Sequence, residues 1–222
     1  LDAMATRSAF DEQLSLLQRD MLRMGVFVNE AIDKAVQALQ KMDRKLAGEV
    51  IDGDEVADRM AIELQQRCLQ LMALQQPLAR DLRVIGTVLK VVTDLERMAD
   101  HATDIAKVVL RLDCAAPPKW LLDIPLMAQR VQEMNREALD AWVQGDSERA
   151  RRMAERDDEI DSFYRKLFDD LLRVMQSDPK AVRTATYLLL VAHYLERIGD
   201  HATNLGEWTI YQETGELQDL NG

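Results

Sequence analysis

Apolar positions recur along this chain at steps of three and four over long, uninterrupted stretches. Val84, Val88, Val91, Leu95, Met98, Ala102 and Ile105 form one such series, the period an amphipathic helix needs to bury a single face. The pattern breaks where a helix cannot continue. Pro77 ends one stretch, because proline lacks a backbone donor and clashes with the preceding turn. The Pro-Pro pair in "DCAAPPKWLLD" (113–123), "GDS" at 145–147 and "SDP" at 177–179 mark further breaks. The remaining stretches predict six long helices, over about 8–42, 46–75, 79–112, 125–144, 148–176 and 180–211. Short connections make consecutive helices antiparallel neighbours. The expectation is an all-α chain of two tandem three-helix bundles, residues 1–112 and 124–222, joined by a linker over 113–123.

The halves repeat one another. "DLERMADHATD" starts at Asp94 and "YLERIGDHATN" at Tyr194, and Arg83, Leu89 and Val91 recur as Arg183, Leu189 and Val191, always 100 positions on. In the middle helices the offset is 103, so that Leu64 matches Leu167. Such a change is what loops of different length produce between repeated elements, and it makes the two bundles pseudo-symmetric.

Composition narrows the function. The net charge of −11, from 28 basic and 39 acidic residues, argues against wrapping nucleic acid, which needs basic surface to neutralise phosphates. Cys68 falls on an apolar helix face and Cys114 in the linker, so neither a disulfide framework nor a cysteine metal site is expected, and a reducing cytoplasm fits. No stretch reads as a signal peptide or is apolar enough to insert directly in a membrane.

The acids carry the chemistry. Glu96, Asp100 and Asp104 are spaced four apart on one helix face, and Glu196, Asp200 and Asn204 repeat them. The middle helices hold Asp54 with Asp58 and Asp157 with Asp161, again four apart. Folding the first hairpin about Gln76–Pro77 sets Asp54 level with Asp100 and Asp58 level with Glu96. Folding the second about Asp178–Pro179 sets Asp157 level with Asp200 and Asp161 level with Glu196. All lie on the flank of an apolar stripe with the same angular sense, so both members of each hairpin point into their shared groove, or both point away from it. If they converge, the carboxylates need protons or cations for compensation. Oxygen-rich sites of this kind suit magnesium, calcium or manganese, and also iron.

Arg97 and Arg197 point about 100° further round their helices than the preceding acids, as surface residues or helix–helix ion-pair partners. His101, His201 and His193 point away from the acids or lack a counterpart, and are read as surface or packing residues. Neither a Glu-x-x-His di-iron motif nor a phosphate-binding glycine loop is found. The alternative to a binding protein is an all-helical, magnesium-dependent nucleotide pyrophosphohydrolase, which also places carboxylates on helix pairs.

"QQPLARDLR" (75–83), "LERMADHATDIA" (95–106), "ERDDEID" (155–161) and "LERIGDHATNLGE" (195–207) together make the chain resemble the PhoU family of bacterial phosphate-signalling regulators. The resemblance implies two three-helix bundles and a non-enzymatic role: restraining phosphate uptake and holding the phosphate regulon repressed. It implies as partners the ATPase subunit of the phosphate transporter and the phosphate-sensing histidine kinase, with a homodimer as a further possibility. It also implies divalent or multinuclear metal ions at two sites, with iron, zinc, magnesium or manganese as candidates. The first half departs from the family pattern at Met98-Ala99 and at Asp104.

Overall fold

Every predicted helix forms, one of them in two pieces, in the computed structural model, which describes residues 2–75, 77–113, 121 and 123–220. The elements are α1 (Asp2–Lys41), α2 (Arg44–Gln75), α3 (Ala79–Arg111), α4 (Ile124–Gln144), α5 (Ser147–Ala154), α6 (Asp157–Ser177) and α7 (Val182–Thr214). No strand occurs among the described residues. Cys114 and most of the expected linker lie outside them.

The connections follow from their side chains. Asp43 Oδ1 accepts from the backbone N–H of Lys45 and Leu46, both at 3.0 Å, and so caps α2. Gly145 takes the left-handed conformation that ends α4 (φ 64°), and Asp146 then caps α5 by accepting from the Arg149 N–H at 2.9 Å. The expected helix over 148–176 is interrupted at Glu155–Arg156, where Arg156 N–H reaches back three residues to Met153 C=O. α6 restarts with Asp157, Asp158 and Glu159 in its first turn, where negative charge complements the helix dipole.

Helices α1, α2 and α3 pack on one another, and α4 and α5 pack on α7. α6 leans chiefly on α7 and buries only Ile160, Leu167 and Leu171. The halves join along α3 against α7 and α1 against α4. One apolar core runs through both, including Met24, Leu95 and Met98 from the first and Met134, Leu195 and Ile198 from the second. Each fully buried side chain of this size contributes about 1.5–3 kcal/mol. Gly25 permits the α1–α4 seam: a Cβ there would lie 2.3 Å from Leu139 Cδ1. Cys68 is part of the core, and burial pushes its thiol up to about 12.

Candidate metal-binding grooves

The acids of each hairpin interact across their groove, and in the first they converge. In the first groove, between α2 and α3, single carboxylate oxygens of Asp58, Glu96 and Asp100 all lie within 4.8 Å of one another. Asp54 joins from the turn before: its Oδ1 accepts from the Thr103 hydroxyl at 3.1 Å. The choice left open by the helical wheel is therefore settled for this hairpin, whose flanks face inward. Burial raises the pKa of Asp100, with Asp54 and Asp58 adding repulsion, and burial likewise raises that of Glu96, with Asp100, Asp58 and Asp54 adding to it.

In the second groove, between α6 and α7, the acids lie deeper and repel one another, but no three of them bring carboxylate oxygens within 4.8 Å of one another. Asp157 is pushed up to about 6 by burial, then by the charges of Asp200, Asp161 and Glu196. Glu196 is raised by burial and by Asp200 and Asp161; Asp200 is raised by burial, with Asp161 also contributing. Glu196 Oε2 is buried and, among the described residues, has no hydrogen-bond partner. A Cβ at Gly199 would meet Ile160 Cγ2 at 3.4 Å and Asp157 Oδ1 at 3.5 Å, ordinary contact, so a glycine is not required for α6 to approach here. Ala99 at the equivalent place shows that a methyl is accommodated.

The arginines do more than the wheel foretold. Arg97 turns back to Asp100 at 3.0 Å and to Glu96 at 3.6 Å, and Arg197 pairs with Asp200. These cations lower the acids' pKa values, yet the net shift of Glu96, Asp100, Glu196 and Asp200 is upward. The grooves thus hold more negative charge than their own arginines offset.

Asp104 and Asn204, expected to extend the two ligand sets, engage other partners. Asp104 pairs with Lys107 at 3.1 Å, and Asn204 Nδ2 donates to Asp94 Oδ1 at 3.0 Å. His101 and His201 are packing residues of the seam, while His193 stays exposed. His201 Nδ1 lies 2.9 Å from Asp94 Oδ1, and His101 stacks on Tyr194 with ring centroids 5.7 Å apart. Asp94 and Tyr194 were not singled out from the sequence. Their signal was present all the same, as the first, unmatched letters of the repeated phrase.

The donor set suits a cation. The first groove offers carboxylate oxygens alone, as hard divalent ions prefer, and the second holds a buried carboxylate oxygen with an unmet acceptor. Asp58, Glu96 and Asp100, with Asp54 beside them, would hold an ion in the first, whereas Asp157, Asp161, Glu196 and Asp200 would have to draw closer to hold one in the second.

Comparison with known proteins agrees with this architecture. The family model described as the PhoU domain matches twice, over residues 21–109 and 124–209. The phosphate-specific transport system accessory protein PhoU homolog of Clostridium acetobutylicum is 41% identical over 217 residues, covering 97% of this chain and 99% of that protein. The homolog from Aquifex aeolicus is 38% identical over 206 residues, or 93% of each chain. The crystal structure of the phosphate transport system regulatory protein PhoU from Streptococcus pneumoniae matches with a TM-score of 0.89 at 30% identity, covering 95% of this chain and 99% of that one. PhoU from Pseudomonas aeruginosa matches with a TM-score of 0.89 at 33% identity, covering 93% and 100%.

Proposed function

The chain belongs to the PhoU family, and on that premise we propose that it is a regulatory adaptor of phosphate transport that binds divalent metal in both grooves. It restrains phosphate uptake and phosphate-regulon signalling by docking on the transporter's ATPase subunit and on the phosphate-sensing kinase, and catalyses no reaction itself. Its relatives are named as accessory and regulatory proteins of phosphate transport. No helix among the described residues is long and apolar enough to cross a membrane, so contact with the transporter is assigned to the protein's faces.

One observation carries the metal reading: both hairpins crowd acids until burial and mutual repulsion raise their pKa values despite Arg97 and Arg197. A bound divalent cation supplies the positive charge that lets these carboxylates ionise together. The chain's part is to hold the acids on α2 and α3, and on α6 and α7, so that the ion cross-links each pair of helices. The arginines stay on the outer acids and limit the charge left over.

Equilibrium dialysis of untagged protein with manganese, alongside capture by the purified transporter ATPase subunit with and without EDTA, tests the reading. Two binding events lost in Asp100→Ala/Asp200→Ala, with metal-dependent capture, are expected. Absence of metal binding, or equal capture in EDTA, counts against it. Turnover of nucleoside triphosphates with magnesium above background would favour an enzyme instead.

A further inference from the structure

Past its acids, the groove between α2 and α3 changes character. On the helical wheel Leu82 and Leu89 lie about 140° and 120° from Leu95, in the sector of Glu96 and Asp100. Ile62 and Leu69 lie about 160° and 140° from Leu64, in the sector of Asp58. The acids of this hairpin converge, so that sector is the groove on both helices. The fold about Gln76–Pro77 sets Leu69 level with Val84 and Ile62 level with Val91. The four apolar residues therefore alternate between α3 and α2 in one strip that runs from the hairpin turn to the acids. Ile62 is 53% exposed, Leu69 58% and Leu82 47%. Single exposed apolar side chains are ordinary on a surface, but an aligned set marks a binding face.

Gly86 lies on the same stretch of α3. A Cβ there would meet nothing within 4 Å, so packing within this chain does not require the glycine, although one inside a helix costs about 1 kcal/mol against alanine. What it provides is a low floor beside Leu82 and Leu89, where another backbone can come close. The α3 edge of the strip is basic. Arg83 and Lys90 stand seven residues apart on it, and Lys90 Nζ sits over the Trp208 ring, 5.6 Å from its centroid. From Leu78 to Thr93 the chain carries three cations and one acid, in a protein of net charge −11. In the second half Arg165 and Thr186 stand where the first has Ile62 and Gly86, so a charge cuts the strip there and a side chain fills its floor.

Building on the adaptor reading above, we propose that this strip seats an amphipathic helix of a partner protein, with its apolar face on Ile62, Leu69, Leu82 and Leu89 and an acidic edge along Arg83 and Lys90. A helix laid in a groove makes contact through residues at i, i+3 or i+4, and i+7. At 1.5 Å per residue the strip from Leu82 to Glu96 is about 21 Å long, which accommodates about four helical turns. At physiological salt, charges on a surface act over about 8 Å. The basic edge therefore sets the charge that the partner helix shows beside the strip, and the acids at the far end of the groove do not.

The test uses the full chain and two fluorescein-labelled helical peptides of about 18 residues, alike in a leucine face and edged by glutamate or by lysine, followed by anisotropy at physiological salt. The glutamate-edged peptide is expected to bind at least about tenfold more tightly than the lysine-edged one, and Leu69→Ser/Leu82→Ser to weaken it by at least about tenfold. Gly86→Gln should weaken it while raising the melting temperature, because glutamine is the better helix former, a combination that a folding defect does not give. Lys90→Glu should reverse the preference between the peptides. Equal binding of both peptides by the wild type, or binding unchanged in the serine and glutamine variants, overturns the proposal. A dimer seen in sedimentation and lost in Leu69→Ser/Leu82→Ser also overturns it, since the occupant is then a second copy of this chain. Capture of the purified transporter ATPase subunit by the wild type is measured alongside. If capture persists while the peptide arms fail, the adaptor reading stands and only the strip falls. If the wild type captures no subunit and binds neither peptide, both fall.

Discussion

Asp94 on α3 and His201 on α7 stand 2.9 Å apart across the seam between the halves, each side chain only 12% exposed. With its proton on Nδ1, His201 donates to Asp94, and Asn204 donates to the same carboxylate oxygen. Asp94→Ala removes the acceptor of both. A buried polar group that loses its partner costs about 1–3 kcal/mol, and urea denaturation should show a loss of that size. Asp104→Ala, which breaks the more exposed pair with Lys107, should cost less than about 1 kcal/mol. Equal losses would mean that the seam pair is not a distinct stabilising contact.

The pH dependence of the metal-free protein has a defined sign. Asp157 titrates at about 6 in the folded chain against 3.8 for the free group. Between those values the folded state keeps a proton that the unfolded state has released, so this group's contribution to stability falls as pH rises and is fully unfavourable above about 6. Glu96, Asp100, Glu196 and Asp200 shift in the same direction. Urea midpoints in EDTA across this range should slope less steeply in Asp157→Asn than in the wild type. Identical slopes would place the titration elsewhere.

Removing charge from the grooves should stabilise the empty protein. In EDTA at neutral pH, Asp100→Asn/Asp200→Asn is expected to melt above the wild type by the equivalent of a few tenths to about 1 kcal/mol, since like-charge repulsion is relieved but two arginine pairs are weakened. Manganese should then raise the melting temperature of the wild type, by about 2.7 kcal/mol per site at one hundred times Kd, and leave the variant unmoved. A variant that melts lower in EDTA would show that the acids serve chiefly as hydrogen-bond acceptors.

Gly25 offers a test of the second seam. Its substitution by alanine drives a methyl into Leu139, whose Cδ1, Cδ2 and Cγ would lie 2.3, 3.0 and 3.2 Å from the new Cβ. The whole side chain must shift, at a cost of about 1–3 kcal/mol. Leu139→Ala makes room for that methyl, so the double variant should lose less stability than the two single variants summed. Strict additivity in denaturant melts would indicate that α1 and α4 are further apart than described.

The hairpin register was readable because helices without internal proline advance at a fixed rise. Counting back from Pro77 therefore put Asp58 beside Glu96 and Asp54 beside Asp100. The inward sense of the flanks was not readable, since a wheel gives the direction of a Cβ relative to its own helix and not to the neighbour. Arg97 and Arg197 escaped for a related reason: a long side chain can return to an acid one turn on, whatever its Cβ direction. The break at Glu155–Arg156 has no glycine or proline, and both residues stay near helical dihedrals. Only the acids at 157–159 hinted at a new helix start. Asp94 was overlooked because it sits on the face toward α7, and nothing in either hairpin alone shows which face the other half will cover.

The seam also gives the molecule a sense of direction. Positions 94 and 194 are counterparts, as are 101 and 201, and each pair crosses to the other. Two separate, identical copies meeting there would have to show the same residue at both ends of the crossing. Tandem fusion lifts that constraint, so one end has become polar and the other aromatic.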